Sequence, residues 1–332
     1  MPDLLAELRA ARGACLSGKS LGERLGVSRA AVWKRIRALI QNGYLIESRH
    51  GKGYRLVREP DVLTREAVAP LLSAGLFRAG RYHHRVEVGS TNEEAVTLAR
   101  AGVPEGTVVV AESQTRGRGR LGRQWLSPPG VNLSFSFVLR PRMSPNRTFQ
   151  LTLLAGLALA ETVQEAGFAE VTIKWPNDLL LRGRKLAGIL TEMGAEMDQV
   201  HYVVVGVGLN VHMTTALFPP ELQGIAIGLA DVYTPSAGAV AVVPMPLRRD
   251  LLVGFLHRFE TWHERYRQEG FAGVRERWLA LAQIQGRRVE VNLLKEKFIG
   301  TALDMDPDGF LLVRREDDGS VSRVVAGDVA LV

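Results

Sequence analysis

Lys174-Trp175-Pro176-Asn177-Asp178 is followed, after five residues, by Arg184-Lys185-Leu186-Ala187-Gly188-Ile189-Leu190. Apolar residues precede the first segment at positions 171–173 and end the second, and residues 182–185 have the composition of a hairpin turn. The pattern predicts that the polar residues lie at the end of a strand, beside a β-hairpin. By themselves they fit either a structural turn or a ligand-binding site.

Two further polar segments follow predicted strands. Gly89-Ser90-Thr91-Asn92 comes after Val86-Glu87-Val88 and opens an alanine-rich helix over residues 94–101. Its hydroxyl and amide groups could cap that helix or bind an uncharged ring that carries hydrogen-bond donors and acceptors. Gly206-Val207-Gly208-Leu209-Asn210 comes after Val203-Val204-Val205, and glycines at that place permit the close approach of a flat ligand. Both interpretations stay open for each segment.

Residues 116–123 combine four arginines with three glycines between two predicted strands. Guanidinium groups bind carboxylate and phosphate through paired hydrogen bonds, and glycines let the backbone close around a ligand, so we expect an anion-binding loop. The glycines also match the dinucleotide pattern GxGxxG. The alternation of residues 133–139 predicts a strand where that motif needs a helix, and Arg140 and Arg142 stand where an acid should bind a ribose, which argues against a Rossmann site.

The basic residues are concentrated at the N-terminus. Residues 1–60 carry twelve Lys or Arg and five Asp or Glu, so the whole formal net charge of +7 falls within them. A small basic module beside a neutral body indicates a polyanionic partner.

The order of elements in this module indicates DNA binding. Leu4, Leu5 and Leu8 predict a first helix, Ser20 is expected to cap a short second helix, and Ser28 a third. We expect the inward face of the third helix to consist of Val32, Ile36, Leu39 and Ile40. Asn42-Gly43 ends the unit, and two strands then flank the basic turn Arg49-His50-Gly51-Lys52-Gly53, as in a winged helix-turn-helix. Residues 13–20 match the phosphate-loop pattern GxxxxGK[ST], but a helix precedes them where that motif needs a strand.

Composition excludes several classes of protein. The single cysteine, Cys15, rules out an internal disulfide framework and a cysteine-cluster metal site. Asp3, Glu7 and Arg9 interrupt the first apolar residues, so no targeting signal is expected, and the longest uncharged run, residues 199–220, is too polar for a membrane span. We expect a cytoplasmic protein without a membrane partner.

Taken together and in this order, GSTN, Q-x-RGRG, KWPND, RKLAGIL and GxGLN resemble the biotin–protein ligase family along nearly the whole catalytic body. Residues 28–34 and 51–54 resemble its long, repressor-bearing class. The resemblance implies an α/β multidomain fold: a winged helix-turn-helix domain at residues 1–62, a mixed α+β ligase domain similar to the class II aminoacyl-tRNA synthetase core at 63–282, and a small SH3-like β-barrel at 283–332. The alternating residues 289–291, 298–303, 309–313 and 321–325 agree with such a barrel.

The resemblance also implies the roles of individual residues, with ATP, biotin and Mg²⁺ as reactants and no metal held by the protein alone. The implied biotin site is Ser90, Thr91, Asn92, Gln114, Arg118, Gly119, Arg120 and Lys185. The implied nucleotide site is Arg118, Arg120, Arg123, Trp125, Lys174, Asn177 and Asn210. The implied catalytic residues are Lys185, Arg118, Arg120 and Asp178, with Asp178 orienting Lys185 or a Mg²⁺ ion. The implied DNA-binding residues are Ser28, Arg29, Ala30, Trp33, Lys34, Arg37 and Lys52.

Three positions bear on the details of that resemblance. Residues 212–224, with Phe218-Pro219-Pro220, match the mobile loop that covers the adenylate. Gly228 stands where a hydroxyl residue is expected, which leaves its part in adenine binding open. Trp33 is a bulky residue on the expected DNA face, so no operator sequence follows from the resemblance.

The expected activity is therefore ATP-dependent formation of biotinyl-5′-AMP and transfer of biotin to a lysine of a biotin carboxyl carrier protein. The same chain is expected to repress biotin genes by binding operator DNA, as a homodimer when it is loaded with biotinyl-AMP. Two alternatives remain at this point: a lipoate-type acyl-protein ligase, and a ligand-sensing repressor without catalysis.

Overall fold

The computed structural model describes residues 4–332 except for residues 12, 42, 50, 73–74, 79–80, 197–198, 234–244, 294–295 and 326. The chain divides into two compact units, Met1–Val62 and Leu63–Val332. Asn42 and His50, which the sequence analysis placed in the DNA-binding module, lie outside the described residues. Within these ranges every helix is too short or too polar to reach across a lipid bilayer.

The first unit consists of three helices followed by a β-hairpin. Its elements are α1 (Leu4–Ala10), α2 (Gly18–Leu25), α3 (Arg29–Gln41), β1 (Leu45–Arg49) and β2 (Gly53–Arg58). Gly26, with φ of 65°, ends α2, and the Ser28 side chain accepts a hydrogen bond from the Ala31 amide at the start of α3. The helix-turn-helix arrangement is thereby confirmed.

Two details of the expected first unit are wrong. The cap of α2 is Ser17, whose side chain accepts a hydrogen bond from the Ser20 amide at 3.0 Å; Ser20 is the donor because a cap bonds to the third residue of its helix. Ile40 is not on the inward face and is 47% exposed. It follows Trp33 by seven residues, about two helical turns, and therefore lies on nearly the same side of α3.

The hairpin of the first unit has a third partner. β1 and β2 pair antiparallel, with Glu47 opposite Arg55. Leu16 and Tyr54 exchange two backbone hydrogen bonds of 2.9 and 2.8 Å. Gly53 is required at this place, because its φ is 102° and a Cβ would lie 2.0 Å from the Leu16 carbonyl oxygen. Lys52 is exposed at the turn.

The second unit is built on a seven-stranded mixed sheet in the order β3-β4-β5-β9-β8-β7-β6. β3 and β4 are parallel and the other neighbours are antiparallel. The strands are β3 (Tyr82–Val88), β4 (Val108–Gln114), β5 (Leu133–Leu139), β6 (Val171–Lys174), β7 (Asp178–Leu181), β8 (Arg184–Glu196) and β9 (Gln199–Leu209). The element after the GxGxxG match is the strand β5, so the match is not a Rossmann site.

Helices cover both faces of this sheet. They are α4 (Arg65–Val68), α5 (Thr91–Arg100), α6 (Phe149–Glu165), α7 (Leu229–Val232), α8 (Arg248–Glu269) and α9 (Ala272–Ala282). Ala95 and Ala99 of α5 pack against Val109, Val138 and Val204 on one face. The opposite face, which carries Phe135 and Phe137, packs in the main core with α6, α8 and α9. Because side chains alternate along a strand, each strand serves both layers.

A second sheet ends the chain. It has five antiparallel strands in the order β13-β12-β11-β10-β14, where β10 is Arg288–Asn292, β11 Lys297–Met305, β12 Leu311–Arg315, β13 Val321–Val324 and β14 Asp328–Leu331. Its inward residues Val289, Leu311 and Val329 belong to the same hydrophobic core as the large sheet. The main core of the second unit therefore extends from the large sheet to the second sheet.

The aromatic cluster of this core generates a stability prediction. The Phe255 ring is fully buried, and its centroid lies 5.0 Å from that of Phe135 and 5.9 Å from that of Phe259. Phe255→Ala should lower the free energy of unfolding by about 3–5 kcal/mol, because it leaves a cavity as well as removing buried apolar area. Val86→Ala is the control, since Val86 is 74% exposed. Urea denaturation monitored by fluorescence measures both, and equal midpoints for the two variants would contradict the assigned packing.

Candidate functional site

A cavity opens on the α5 side of the large sheet. It contains most of the residues that the sequence analysis assigned to ligand binding. Those lining it are Ser90, Thr91, Asn92, Gln114, Arg118, Gly119, Arg120, Arg123, Trp125, Asn177, Asp178, Lys185 and Asn210. Lys174 is not among the residues that line the cavity, although it pairs with Asp178 in the sheet.

The floor of the cavity is a row of small residues that crosses the sheet. Gly208 of β9 lies opposite Gly188 of β8, Gly206 lies two residues before Gly208 on β9, and all three glycines line the cavity. A Cβ on Gly208 would lie 2.4 Å from the Trp125 ring, so this ring lies directly against the backbone. The glycines leave their own side-chain positions to the Trp125 ring and to Asn92, which lie directly against the backbone, whereas the other face of the sheet is densely packed.

The first turn of α5 is fixed by a polar cluster. The Thr91 amide donates to Oε1 of Gln114 at 2.9 Å, and the Ser136 hydroxyl donates to Oδ1 of Asn92 at 2.6 Å. Asn92 Oδ1 lies where a side chain on Gly206 would begin, because a Cβ there would be 1.8 Å from it. Ser90 is the N-cap residue, yet its side chain makes no capping hydrogen bond within the described structure. The hydroxyl is therefore not used as a helix cap.

Glu192 joins this cluster to the arginine loop. Its Oε2 accepts a hydrogen bond from Nδ2 of Asn92 at 2.8 Å, and its Oε1 lies 3.1 Å from a guanidinium nitrogen of Arg118. The sequence analysis did not identify Glu192, although it lies two residues beyond the RKLAGIL segment. On β8 the side chain that follows Leu190 by two residues lies on the same face, so strand alternation was an available signal.

Lys185 projects from the start of β8. A two-residue turn, Arg182-Gly183, joins β7 to β8, and both residues have positive φ, as a type I′ hairpin requires. Nζ of Lys185 lies 2.8 Å from Oδ1 of Asp178. Lys185 and Asp178 therefore lie close together, as the sequence predicted, and the carboxylate holds the ammonium group at the cavity wall.

Arg120 and Arg123 of the loop contact the KWPND segment and the second-sheet region. Arg120 donates to Oδ1 of Asn177 at 2.7 Å and to the Gly327 carbonyl oxygen at 3.3 Å. Arg123 forms an ion pair with Asp328. Burial raises the pKa of the Asp328 carboxyl, but the hydrogen bond and charge of Arg123 outweigh burial, and the pKa is below its ordinary value. Asp328 lines the cavity and was not identified from the sequence, because it lies about 200 residues from the loop it contacts.

Asn210 and Gly228, two positions singled out from the sequence, have structural roles near the cavity. The Asn210 side chain donates to the Ile227 carbonyl oxygen at 3.1 Å and accepts from Asn132 at 3.2 Å, so two neighbouring segments fix its amide. Gly228 stands where a hydroxyl residue was expected. A Cβ there would lie 1.8 Å from the Met213 carbonyl oxygen, which explains the glycine.

Residues 212–224 form one wall of the cavity. Phe218 is buried, packs with Met213 and Ala226, and lines the cavity. Asp231 of α7 accepts hydrogen bonds from the amide and the hydroxyl of Thr215, at 2.7 and 3.0 Å. This segment is therefore held at one end by α7 and places an aromatic ring over the ligand space.

The predicted DNA-binding residues are exposed on the first unit. Ser28, Arg29, Ala30, Trp33, Lys34, Arg37 and Lys52 are all exposed. The buried residues of α3 are Val32 and Ile36, which point into the core. The outer face of α3 contains no acidic residue, since the helix has none.

Family models match three parts of the chain. Residues 88–210 match the biotin/lipoate A/B protein ligase family, residues 2–55 an HTH domain, and residues 285–332 the biotin protein ligase C-terminal domain. The matched ranges include most of the cavity residues, the three helices of the first unit and the second sheet.

Individual relatives are similar over nearly the whole chain. The chain is 36% identical to the bifunctional ligase/repressor BirA of Bacillus subtilis (strain 168), covering 99% of this chain and 98% of that protein. It is 32% identical to the bifunctional ligase/repressor BirA of Escherichia coli (strain K12), covering 97% and 94%. The structure of a biotin protein ligase from Aquifex aeolicus in complex with biotin and ATP matches with a TM-score of 0.62 and 27% identity, over 76% of this chain and 98% of that one. The protein thus belongs to the biotin/lipoate A/B protein ligase family, among its bifunctional ligase/repressors.

Proposed function

We propose that the protein is an ATP-dependent biotin–protein ligase that also represses biotin genes. In this proposal it forms biotinyl-5′-AMP and transfers biotin to a lysine of a biotin carboxyl carrier protein. One observation carries the enzymatic part: the cavity has a neutral polar end at Ser90, Thr91 and Asn92 and a cationic end at Lys185 and the arginine loop, joined by a floor of glycine. A ligand with a polar ring and a carboxylate tail complements this arrangement.

The neutral end would bind the ureido ring. Ser90, Thr91 and Asn92 are at least 96% buried, and Gln114 closes the same corner through its bond to Thr91. Because the Ser90 hydroxyl does not cap α5, it can serve a ligand. Buried donors and acceptors in fixed positions favour an uncharged ring that satisfies them.

The cationic end would hold the two reacting anions. The biotin carboxylate attacks the α-phosphorus of ATP, a new acyl–phosphate bond forms, and pyrophosphate leaves. Lys185, Arg118 and Arg120 would neutralise the charge that gathers there, and Asp178 and Asn177 would orient Lys185 and Arg120 through the contacts described above. Positioning two anions in line contributes much of the rate without any side-chain nucleophile.

The nucleotide would extend toward Trp125. Nε1 of this indole is buried and finds no hydrogen-bond acceptor in the described part of the chain, so an acceptor on a ligand would satisfy it. Arg123, Asn177 and Asn210 border the same region, and Lys174 would act from outside the cavity lining as a nearby charge.

A resident Mg²⁺ ion does not fit the residues present. In the described ranges no three His, Cys, Asp or Glu side chains are grouped so that they could hold a metal ion. The two carboxylates in the cavity lining, Asp178 and Asp328, are engaged with Lys185 and Arg123. We propose that Mg²⁺ enters as part of the ATP substrate and that Asp178 orients Lys185 rather than a metal.

The second half-reaction transfers biotin from biotinyl-AMP, which residues 212–224 would cover, to the carrier protein. The lysine amine of the carrier attacks the acyl carbon, AMP leaves, and the nitrogen loses a proton. Residues 212–224, with Phe218 in the cavity wall, would shield the labile anhydride from water until the carrier arrives.

The finer architecture remains part of the proposal. Residues 1–62 would be the winged helix-turn-helix domain, 63–282 the ligase domain with a core like that of class II aminoacyl-tRNA synthetases, and 283–332 an SH3-like barrel. We propose that the protein is cytoplasmic. Operator DNA would bind through the exposed face of α3 and the wing, which is the turn between β1 and β2. Biotinyl-AMP would promote formation of the homodimer that binds the operator. Pyrophosphate exchange supported by biotin but not by lipoate tests the enzymatic assignment directly.

The first prediction concerns Lys185. Lys185→Ala should reduce biotin-dependent pyrophosphate exchange at least about 100-fold, because it removes the charge placed where two anions meet. Arg182→Ala is the matched control, since it removes a cation from the same hairpin that pairs with Glu170 outside the cavity. Exchange near the wild-type rate in Lys185→Ala would show that Lys185 is not catalytic.

The second prediction concerns the glycine behind Asn92. Gly206→Ala should weaken biotin binding at least about tenfold, because the new Cβ displaces Asn92 and breaks its bonds to Ser136 and Glu192. Gly156→Ala is the control: a Cβ there meets its nearest atoms at 3.7 and 3.8 Å. Calorimetric titration with biotin measures both. Unchanged affinity in a folded Gly206→Ala protein would place the ring elsewhere.

The third prediction separates the two activities. Deleting residues 1–60 removes the entire formal excess of positive charge. Each phosphate that the protein neutralises contributes about −0.9 to the log–log slope of DNA affinity against salt, so the truncated protein should lose operator binding together with most of that slope. Biotinyl-AMP synthesis should persist, since every cavity residue lies in the second unit. Gel shifts and radiolabelled biotin transfer on one preparation measure the two. Salt-sensitive operator binding by the truncated chain would refute the placement of the DNA site.

A further inference from the structure

The outer face of α3 contains a large aromatic ring among cations. Trp33 is 51% exposed, and Arg29 and Arg37 lie one turn before and one turn after it on the same side of the helix. Phosphate binding explains the arginines, but it does not explain an exposed indole between them. The proposed function places Trp33 on the DNA-binding face of α3 but does not say which chemical group the indole contacts.

The ring is held in place by one of its basic neighbours. The guanidinium carbon of Arg37 lies 5.0 Å from the centre of the Trp33 ring, within the range of a cation–π contact. A guanidinium stacked in this way keeps its N–H groups free at its edge for phosphate. The contact limits the rotamers of Trp33, so less conformational entropy is lost when the exposed part of the ring is covered.

The position of Trp33 places it near base edges if α3 enters DNA. Ser28 caps the N-terminus of α3, and Trp33 lies in the second turn after it. In a helix-turn-helix the residues of this N-terminal half reach the major groove. Among the groups that base pairs present there, the 5-methyl group of thymine is apolar and the others are hydrogen-bond donors or acceptors. The exposed indole is the large apolar group in the N-terminal half of this face, since Ile40 lies about two turns further along α3, and it matches that methyl group.

The charge around Trp33 favours DNA over a protein as the partner. α3 contains no acidic residue, and residues 1–60 contain all of the formal excess charge. On this basis, which rests on the proposed DNA-binding function, we propose that Trp33 packs against thymine methyl groups in the major groove and makes the protein prefer thymine at the contacted positions.

The test combines a protein change with the removal of single methyl groups from DNA. The full-length protein, with biotin and ATP present, first selects duplexes from a random-sequence library. Each thymine of the selected duplex is then replaced in turn by deoxyuridine, which lacks only the methyl group. Fluorescence anisotropy measures the affinity of wild type, Trp33→Ala, Trp33→Phe and Ile40→Ala for every duplex, at several salt concentrations.

We expect the effect of removing a thymine methyl group on DNA affinity to depend on residue 33, and only at a few DNA positions. For the wild type, deoxyuridine at one or two positions per half-site should weaken binding about fourfold, the value for one buried methyl-sized group. Trp33→Ala should bind the thymine and deoxyuridine duplexes equally, and Trp33→Phe should retain part of the difference. The salt dependence of Trp33→Ala should stay as in wild type because no charge is removed. Ile40→Ala, which truncates another exposed apolar residue about two turns further along α3, should discriminate as wild type does.

Four outcomes would overturn the inference. Trp33→Ala that still discriminates thymine from deoxyuridine places the methyl contact on another residue. Trp33→Ala could also weaken binding to all duplexes equally and change the oligomeric state. That result assigns the ring to a protein interface. A wild-type protein that enriches no duplex refutes the DNA-binding proposal itself, whereas enrichment without any methyl effect refutes only the role of Trp33.

Discussion

The side-chain oxygen of Asn92 lies where a side chain on Gly206 would have to begin, and much of the site depends on this contact. It holds the first turn of α5 against β9, where Ser136 and Glu192 complete the hydrogen bonds of the Asn92 amide. Any larger residue at position 206 would lift α5 from the sheet and open the corner that is proposed to bind the ring. The constraint is steric, so it does not depend on pH or salt.

The same alternation that builds the core also builds the cavity. Phe135 and Phe137 of β5 point to the α8 side and pack with Phe255, whereas Ser134 and Ser136, which alternate with them, point to the α5 side. Close packing on the α8 side fixes the positions of the strands. The small residues on the other face can therefore leave room for a ligand without a shift in the strand register. A ligand site on a rigid floor follows from this division, because the floor does not have to reorganise when a ligand arrives.

The cations of the cavity already have internal counter-charges. Lys185 faces Asp178, Arg118 faces Glu192 and Arg123 faces Asp328, and most of these side chains are partly exposed to solvent. Such pairs contribute little to stability, so their loss costs little when a carboxylate or phosphate competes for the cation. They also fix the direction of each cation before binding. Asp328 adds a consequence for architecture, because it makes the second sheet a part of the site.

The sequence by itself determined the local features. Apolar alternation predicted the strands, the glycines at 51 and 53 predicted the wing, and the order of short motifs indicated the family and most of the cavity residues, because each of these signals lies within a few neighbouring residues. Only the tertiary structure decided which strands adjoin and in what register, and hence that Gly188, Gly206 and Gly208 form one floor. It alone brought Asp328 to the arginine loop and Met213 against Gly228, since these contacts join segments that are distant in the chain and carry no local pattern. The misplacement of Ile40 had a different origin: apolar character was taken for burial, but a helix of 13 residues with one face in the core leaves its opposite side in solvent whatever stands there.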